Sequence, residues 1–342
     1  MMASNMSQAG QVWGHHQPGL VSLNVGGGTL VICEILRRFK PPVLCLQEVN
    51  ISTKELNSIV KRLNYQGESN IDPEFPTKQG TAIIWRNDQP AAPGVIVPRC
   101  VQSLRLGAAG TPREEQLTVI NIYAPTGSAG KVEREEIIAG PLSRALGGLG
   151  SKYIVVGDWN SVISVNDVET NYPAKKSPAT ERLVAQLGLT DAFRCKHPVA
   201  RSYTFYRASV TRSRLDQGYL SPALVASLLH VSHEPSLGDH AALVLGLHPS
   251  VLPVVPGAAA PMHSRHALRL VKATPVSGVP AVPDNSVLTN PLLPARHERI
   301  WILNTSILNE PEFQGIAAEL WQCLSKETRT WWTGGSTGPG LP

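Results

Sequence analysis

The sequence lacks the features that mark several common protein classes. Its five cysteines lie far apart, form no CxxC pair and are odd in number, which argues against a zinc ribbon and against a disulfide framework. No apolar run reaches the roughly 18 residues of a membrane helix. The N-terminus has neither the basic region nor the apolar region of a signal peptide, and no fixed-period repeat is present. We therefore expect a soluble intracellular protein in a reducing compartment, with no membrane partner.

The composition permits a large folded domain with a polyanionic partner. The chain has 342 residues, of which 42% are hydrophobic, so it can bury a sizeable core. Its formal net charge of +5 and isoelectric point near 9.0 favour a negatively charged partner, although this balance is common in other proteins too.

The apolar pattern predicts a mixed α/β core. A strand LVSLNV, a helix TLVICEILRRF, a strand VLCLQEV and a helix that begins with a Ser52–Glu55 capping box follow one another. TAIIW, VQSLRL and QLTVINIYA then read as strands with no room for helices between them, while TERLVAQLGL and PALVASLL read as short helices. Successive strands without crossover helices predict antiparallel pairs and exclude an all-parallel doubly wound sheet.

Composition divides the chain into five regions. Residues 20–248 form the predicted compact domain, after a disordered N-terminus at 1–19. Residues 249–296 are rich in Pro, Ala and Gly, as expected for a linker. Residues 297–332 regain an apolar helical face, and 333–342 form a predicted disordered tail.

Polar residues follow the ends of several predicted strands, where a sheet delivers side chains to one rim. These residues are Asn24, Glu48, Tyr123, Asp158, Asn160, Asp216, Asp239 and His240. Each has a structural alternative, because Asp158 with Asn160, or Asp239 with His240, is also typical of a simple turn. Glu48 is harder to explain in this way, since a carboxylate after a buried strand must be paired, hydrogen-bonded or metal-bound.

These residue types meet the needs of phosphodiester cleavage. The reaction uses a hard divalent cation on oxygen ligands, a group that positions water, and donors for charge on the phosphoryl oxygens. Glu48 and Asp239 could hold the cation and Asp158 the water. The remaining donors are Asn24, Asn160, Tyr123 and His240.

Six motifs make the chain resemble the endonuclease/exonuclease/phosphatase superfamily across residues 20–247. They are SLNV, LQEV, NIYAP, GDWN, SRLDQGYLS and GDHAAL, in the order found in that superfamily. The resemblance implies a DNase I-like four-layer α/β sandwich of two mixed, largely antiparallel sheets flanked by helices. It also implies a Mg²⁺ or Mn²⁺ cofactor, with Glu48 as the main ligand and Asn24 and Asp239 near the metal.

The same resemblance implies catalytic roles. Asp158 would activate the attacking water, Asn160 would hold the phosphate, and Tyr123 would contact the phosphate or the leaving group. His240 would face the scissile group, with Asp216 orienting its ring.

One position departs from the pattern. The superfamily usually has Ser before the last Asp-His pair, and this chain has Gly238. Loss of a hydroxyl that faces the phosphate would slow the reaction by tens to hundreds of fold.

Residues between Asp191 and Asp216 suggest a nucleic-acid substrate, because basic and aromatic side chains alternate there without an acidic residue. A solvated edge strand protected by charge is the alternative interpretation. The predicted DNA contacts are Arg201, Tyr203, Thr204, Phe205, Arg207, Arg212 and Arg214. YTF at 203–205 resembles a region of LINE-type retrotransposon endonucleases in which a Thr lies near the DNA.

The segment RIWILNTSILNEPEF resembles the connector between endonuclease and reverse transcriptase in LINE polyproteins. We therefore expect a nuclear, metal-dependent DNA endonuclease of a LINE-type element that leaves a 3′-hydroxyl, with DNA as its partner and no obligate protein partner. No YxDD polymerase motif occurs, so the chain is expected to be truncated before the reverse transcriptase. A catalytically silent relic, an abasic-site repair endonuclease, and an inositol phosphatase or sphingomyelinase remain alternatives.

Overall fold

The computed structural model describes residues 19–252, except for residues 73, 75–78, 109, 171, 207–211 and 237. The predicted N-terminal disorder lies outside these residues apart from position 19. The predicted linker lies outside them from residue 253 onward, as do the whole predicted connector and tail.

Twelve strands in the described part of the chain form two six-stranded sheets. They are β1 (Leu20–Asn24), β2 (Val43–Val49), β3 (Tyr65–Asn70), β4 (Gly80–Arg86), β5 (Ala91–Val97), β6 (Val101–Leu106), β7 (Leu117–Tyr123), β8 (Tyr153–Asp158), β9 (Thr190–Asp191), β10 (Asp216–Leu220), β11 (Leu228–Glu234) and β12 (Ala242–Leu247). The first sheet has the order β11-β12-β1-β2-β4-β3 and the second β5-β6-β7-β8-β10-β9. Only β1–β2 and β7–β8 are parallel among the described strand pairs, as the predicted largely antiparallel sheets require.

Most helices cover the outer faces of the sheets, whereas the last one packs into the core between them. The helices are α1 (Thr29–Phe39), α2 (Thr53–Val60), α3 (Gly130–Ile137), α4 (Ser143–Gly147), α5 (Tyr172–Lys175), α6 (Pro178–Leu187) and α7 (Ala192–Lys196), and a π-helical turn, Ile138–Leu142, joins α3 to α4. The predicted capping box is present at α2, where Ser52 and Glu55 exchange hydrogen bonds. In the described part of the chain, no helix is long and apolar enough to cross a membrane.

Alternating side chains on the strands divide the core into layers. Val119 and Ile154 face the space between the sheets, where they pack with Leu20 and Val43. Their neighbours point outward, and Val21 and Leu44 pack against α1. Ile120 and Val155 do the same on the second sheet, against Ile138 and Leu142. A period of two along each strand thus places both faces in apolar surroundings, which produces the predicted four-layer sandwich.

The fully buried side chain of Gln47 joins the two sheets. Gln47 donates its amide to Ser22 Oγ on β1 at 3.0 Å and to Asn121 Oδ1 on β7 at 2.7 Å. Asn121 in turn donates to the carbonyls of Leu46 and Ala82. Because buried polar groups are costly without partners, these bonds restrict how the sheets slide against each other.

One predicted helix differs in length and type. PALVASLL forms a 3₁₀ helix over Pro222–Ser227, and Leu228 already begins β11. The apolar run is shared between the two elements because Leu228 belongs to the core between the sheets.

Candidate active site

The predicted strand-end residues of both sheets meet at one rim. Asn24, Glu48, Tyr123 and Asp158 stand at the carboxyl ends of the two parallel strand pairs. Asn24 donates its side-chain amide to Glu48 Oε1 at 3.0 Å and to Asp158 Oδ2 at 2.9 Å. The hydroxyl of Tyr123 donates to Glu48 Oε1 at 3.4 Å. Asn24 therefore connects carboxylates from two different sheets.

A β-bulge sets the position of Glu48. Gln47 pairs with Thr81 and Val49 with Gly80, so Glu48 is an extra residue with a φ of 55°. Strict alternation would turn Val49 toward the space between the sheets, whereas the bulge sends it to the outer core that contains Leu46. Glu48 therefore takes no part in the β2–β4 pairing, and its side chain faces the rim.

Asp158 and Asn160 form a tight turn after β8. The backbone N–H of Asn160 donates to Asp158 Oδ1 at 2.9 Å, and its side-chain amide donates to the Ala124 carbonyl at 2.8 Å. Gly157 precedes them with a φ of 142°, and a Cβ there would lie 1.9 Å from the Ile122 carbonyl oxygen. The turn interpretation of these residues is thus correct, and it holds Asp158 at the rim.

His240 and Asp216 form a buried pair beside Asp158. His240 Nδ1 lies 2.8 Å from Asp216 Oδ2, and Asp216 faces Asp158 across the β8–β10 ladder. The Phe205 ring packs on the imidazole at a centroid distance of 5.0 Å. Because Asp216 occupies Nδ1, Nε2 is the ring nitrogen left for a ligand.

Burial and charge shift the proton affinities of this group. Burial raises the pKa of Asp158 to about 7, and the charge of Asp216 adds to the effect, while His240 and the hydrogen bonds from Asn160 and Asn24 oppose it. Burial alone would lower the pKa of His240, but Asp216, with contributions from Asp158 and Asp239, raises it to about 10. The carboxylates around His240 therefore favour the protonated form of its imidazole.

The site also offers carboxylate oxygens suited to a divalent cation. Ligand atoms of Asp158, Asp216 and His240 lie within 4.8 Å of one another, and Asp216 Oδ1 is buried without a hydrogen-bond partner in the described part of the chain. Glu48 is half-buried and accepts its hydrogen bonds on Oε1. Surplus buried negative charge and free carboxylate oxygens fit Mg²⁺ or Mn²⁺.

The predicted metal ligands are brought together only in part. Glu48 and Asp239 do not belong to the group of three, and the carboxylate of Asp239 is half-buried beside His240. Asn24 Oδ1 accepts the Gly26 N–H at 3.0 Å. This oxygen thus has one partner, while the amide of Asn24 orients Glu48 and Asp158. The place of Asn24 near the metal stays a prediction.

Two predicted DNA contacts are wrong, because their side chains do not reach the surface. Arg214 is 0% exposed and forms ion pairs with Asp167 and Asp191. Thr204 is also fully buried, and its Oγ1 accepts the N–H groups of Leu215 and Asp216, each at 3.0 Å. Both residues stabilise the segment that carries Asp216.

The other predicted contacts retain access to solvent. Arg201 and Arg212 are exposed, Tyr203 and Phe205 are half-buried, and Arg207 lies outside the described residues. Sequence reasoning missed Asp167 and Asp191 as partners of Arg214. Neither residue belongs to an apolar period, so the sequence carries no signal that marks it as buried.

Comparison with known proteins identifies the family and agrees with the fold. Residues 21–240 match the model of the Endonuclease/Exonuclease/phosphatase family. An AP endonuclease from Archaeoglobus fulgidus aligns with 67% of this chain and 98% of its own, with a TM-score of 0.55 and 21% identity. A 3′-5′ exonuclease (NExo) from Neisseria meningitidis aligns with 67% of this chain and 99% of its own, with a TM-score of 0.54 and 21% identity. An AP endonuclease, LMAP, from Leishmania major aligns with 67% of this chain and 87% of its own, with a TM-score of 0.55 and 16% identity. At these identities the structures share the fold.

Proposed function

Because the chain belongs to the endonuclease/exonuclease/phosphatase family, we propose that it is a divalent-metal-dependent DNA endonuclease that leaves a 3′-hydroxyl. The observation that carries the proposal is the group of Asp158, Asp216 and His240, with ligand atoms within 4.8 Å of one another. Asn24 connects this group to Glu48. The proposed base Asp158, the imidazole of His240 and the proposed metal ligand Glu48 thus lie at one rim.

Each residue has a role that follows from its surroundings. Asp158 in its ionised form accepts a proton from the attacking water. Protonated His240 directs its Nε2 donor at the phosphoryl oxygens, since Asp216 holds Nδ1. Asn160 keeps Asp158 in place through its backbone N–H. Glu48 would hold a divalent cation, which would act as a Lewis acid on the phosphate.

We propose DNA as the substrate because the rim is flanked by accessible basic and aromatic side chains. Arg201 and Arg212 are exposed and Tyr203 and Phe205 half-buried, which suits phosphate contacts and base stacking. A related structure, a 3′ phosphatase NExo from Neisseria at 20% identity and a TM-score of 0.53, is bound to a product DNA hairpin. The resemblance of residues 299–313 to a LINE connector supports a nuclear role in target-DNA nicking.

The test is nicking of supercoiled plasmid by the full chain with Mg²⁺, with Mn²⁺ and with EDTA. We expect open-circular product that requires the metal and is lost in Glu48→Gln and His240→Asn. Glu114→Gln is the matched control, because Glu114 is exposed and precedes β7 at the end opposite Tyr123. Equal nicking by all variants would contradict the proposed site.

A second candidate function is suggested by the AP endonucleases among the structural matches. A duplex with one abasic site and a matched intact duplex separate the two activities. Cleavage confined to the abasic duplex would favour repair. If the folded wild-type protein cleaves neither DNA nor any member of an inositol phosphate panel, the result would favour a catalytically silent retrotransposon relic.

A further inference from the structure

Lys175, the last residue of α5, has an unusual set of partners for a lysine. Its Nζ donates to Ser213 Oγ at 2.8 Å, and no ion pair joins it to a carboxylate in the described part of the chain. The adjacent Lys176 differs, because its Nζ pairs with Glu181 at 2.9 Å. Two consecutive lysines thus have opposite electrostatic surroundings.

The backbone places Lys175 next to the candidate active site. Its carbonyl accepts the N–H of Val162, two residues after Asn160. Its side-chain partner Ser213 pairs with Phe205, and Phe205 pairs with His240. Two bridges of about 5 Å each separate the backbones of Ser213 and His240. The ammonium beside Ser213 is therefore attached to the segment that runs along the Asp-His pair.

The ammonium of Lys175 is poorly compensated. Lys175 is half-buried, and this burial lowers the pKa of its amine. The Ser213 hydroxyl offers a dipole but no charge, and Ser213 is itself 0% exposed. A partly desolvated cation gains from an anion that approaches its remaining open side.

We propose that Lys175 binds a backbone phosphate of the nucleic-acid strand beside the scissile phosphodiester. The inference rests on the proposed function and adds a binding position outside the group of Asp158, Asp216 and His240. Lys175 therefore fixes the register of the strand while the Asp-His pair acts on the scissile bond.

The test measures the salt dependence of binding to a fluorescent duplex, with EDTA present to prevent cleavage. Each phosphate contact contributes about 0.9 to the slope of log affinity against log salt concentration. Lys175→Gln keeps a donor for Ser213 but removes the charge, so we expect its slope to fall by about 0.9, with weaker binding to every sequence. Lys175→Arg should restore the slope, and Lys176→Gln should keep the wild-type value.

The outcomes separate this inference from the proposed function. If wild-type protein nicks DNA while Lys175→Gln keeps the wild-type slope, the inference is overturned and the endonuclease stands. An equal fall of the slope in Lys176→Gln would also overturn the inference, because any lysine on this surface would then contribute equally to binding. If wild-type protein neither binds nor nicks DNA, both the inference and the proposed function fail.

Ser213→Ala retains the cation of Lys175 and should keep the slope. A slope lost in Ser213→Ala with unchanged thermal stability would contradict a direct phosphate contact by Lys175.

Discussion

Arg214 and Arg212 stand two residues apart in one basic stretch but have opposite surroundings. Arg214 is 0% exposed and forms bidentate hydrogen bonds with Asp167, at 2.8 and 2.9 Å, besides its ion pair with Asp191. Arg212 is exposed, and its backbone, not its guanidinium, contacts Glu169. The substitution Arg214→Met should therefore act on stability, and Arg212→Met on DNA affinity.

The expected magnitude follows from the charges left behind. Removing one partner of a buried ion pair costs about 3–5 kcal/mol, because the remaining charge stays desolvated. Asp167 keeps its ion pair with Arg194, so the uncompensated charge is mainly that of Asp191. We expect Arg214→Met to lower the free energy of unfolding by about 3 kcal/mol, near the bottom of that range. Arg212→Met should change it by less than about 0.5 kcal/mol.

Equilibrium denaturation in urea measures both values, and the m-value shows whether unfolding remains comparable between variants. The same proteins are then titrated with duplex DNA under conditions where they are folded. The reasoning is refuted if Arg214→Met is as stable as Arg212→Met. It is equally refuted if Arg214→Met loses DNA affinity without losing stability, because the guanidinium would then face the DNA.

Two further predictions concern the last Asp-His pair. Gly238→Ser should fold normally, because a Cβ at this position would lie 3.7 Å from Ser236 Oγ, an ordinary contact distance. It should raise the nicking rate at least several-fold, because the added hydroxyl is a new donor at the site. A plasmid assay in which the rate does not rise would show that Gly238 does not limit the reaction. In EDTA, the free energy of unfolding should fall as pH rises. The folded pKa values of Asp158 and His240, about 7 and about 10, lie above their ordinary values of 3.8 and 6.5, so the stability they add is complete at low pH and lost on passing through the folded values. Denaturation of wild type and His240→Asn at pH 6.5 and 9 checks this, and an equal pH dependence in both would exclude His240 as its source.

The strands of the central layers were predictable because both of their faces are apolar. β2, β7 and β8 each contain a run of residues buried between the sheets and under the helices. The edge strand β5 was not predicted, since Pro93 and Gly94 interrupt it and most of its residues are at least partly exposed. Tertiary pairing with β6 decides its conformation.

The positions of the site residues were predictable, but the directions of their polar atoms were not. Residues at the carboxyl ends of parallel strands share a rim within each sheet, and the packing of the two sheets then brings Asn24 next to Asp158. Whether Asn24 presents its oxygen or its amide depends on Gly26, Glu48 and Asp158, which only the folded chain arranges. The DNA contact predicted for Arg214 was wrong for a similar reason, because its buried partner Asp167 lies 47 residues away at the end of a short 3₁₀ helix.

The pairing of β1 with β12 has a consequence for how the protein is made. Leu20 is joined to Leu245, so the first strand of the domain stays an open sheet edge until the last strand has been synthesised. Contacts so distant in sequence slow folding, and an open edge can pair with other chains in the meantime. His240 lies two residues before β12, so it joins the rim at the same late moment. A ribosome-bound chain therefore has no complete site until the whole domain has emerged, and any cleaving activity begins only after translation of the domain is finished.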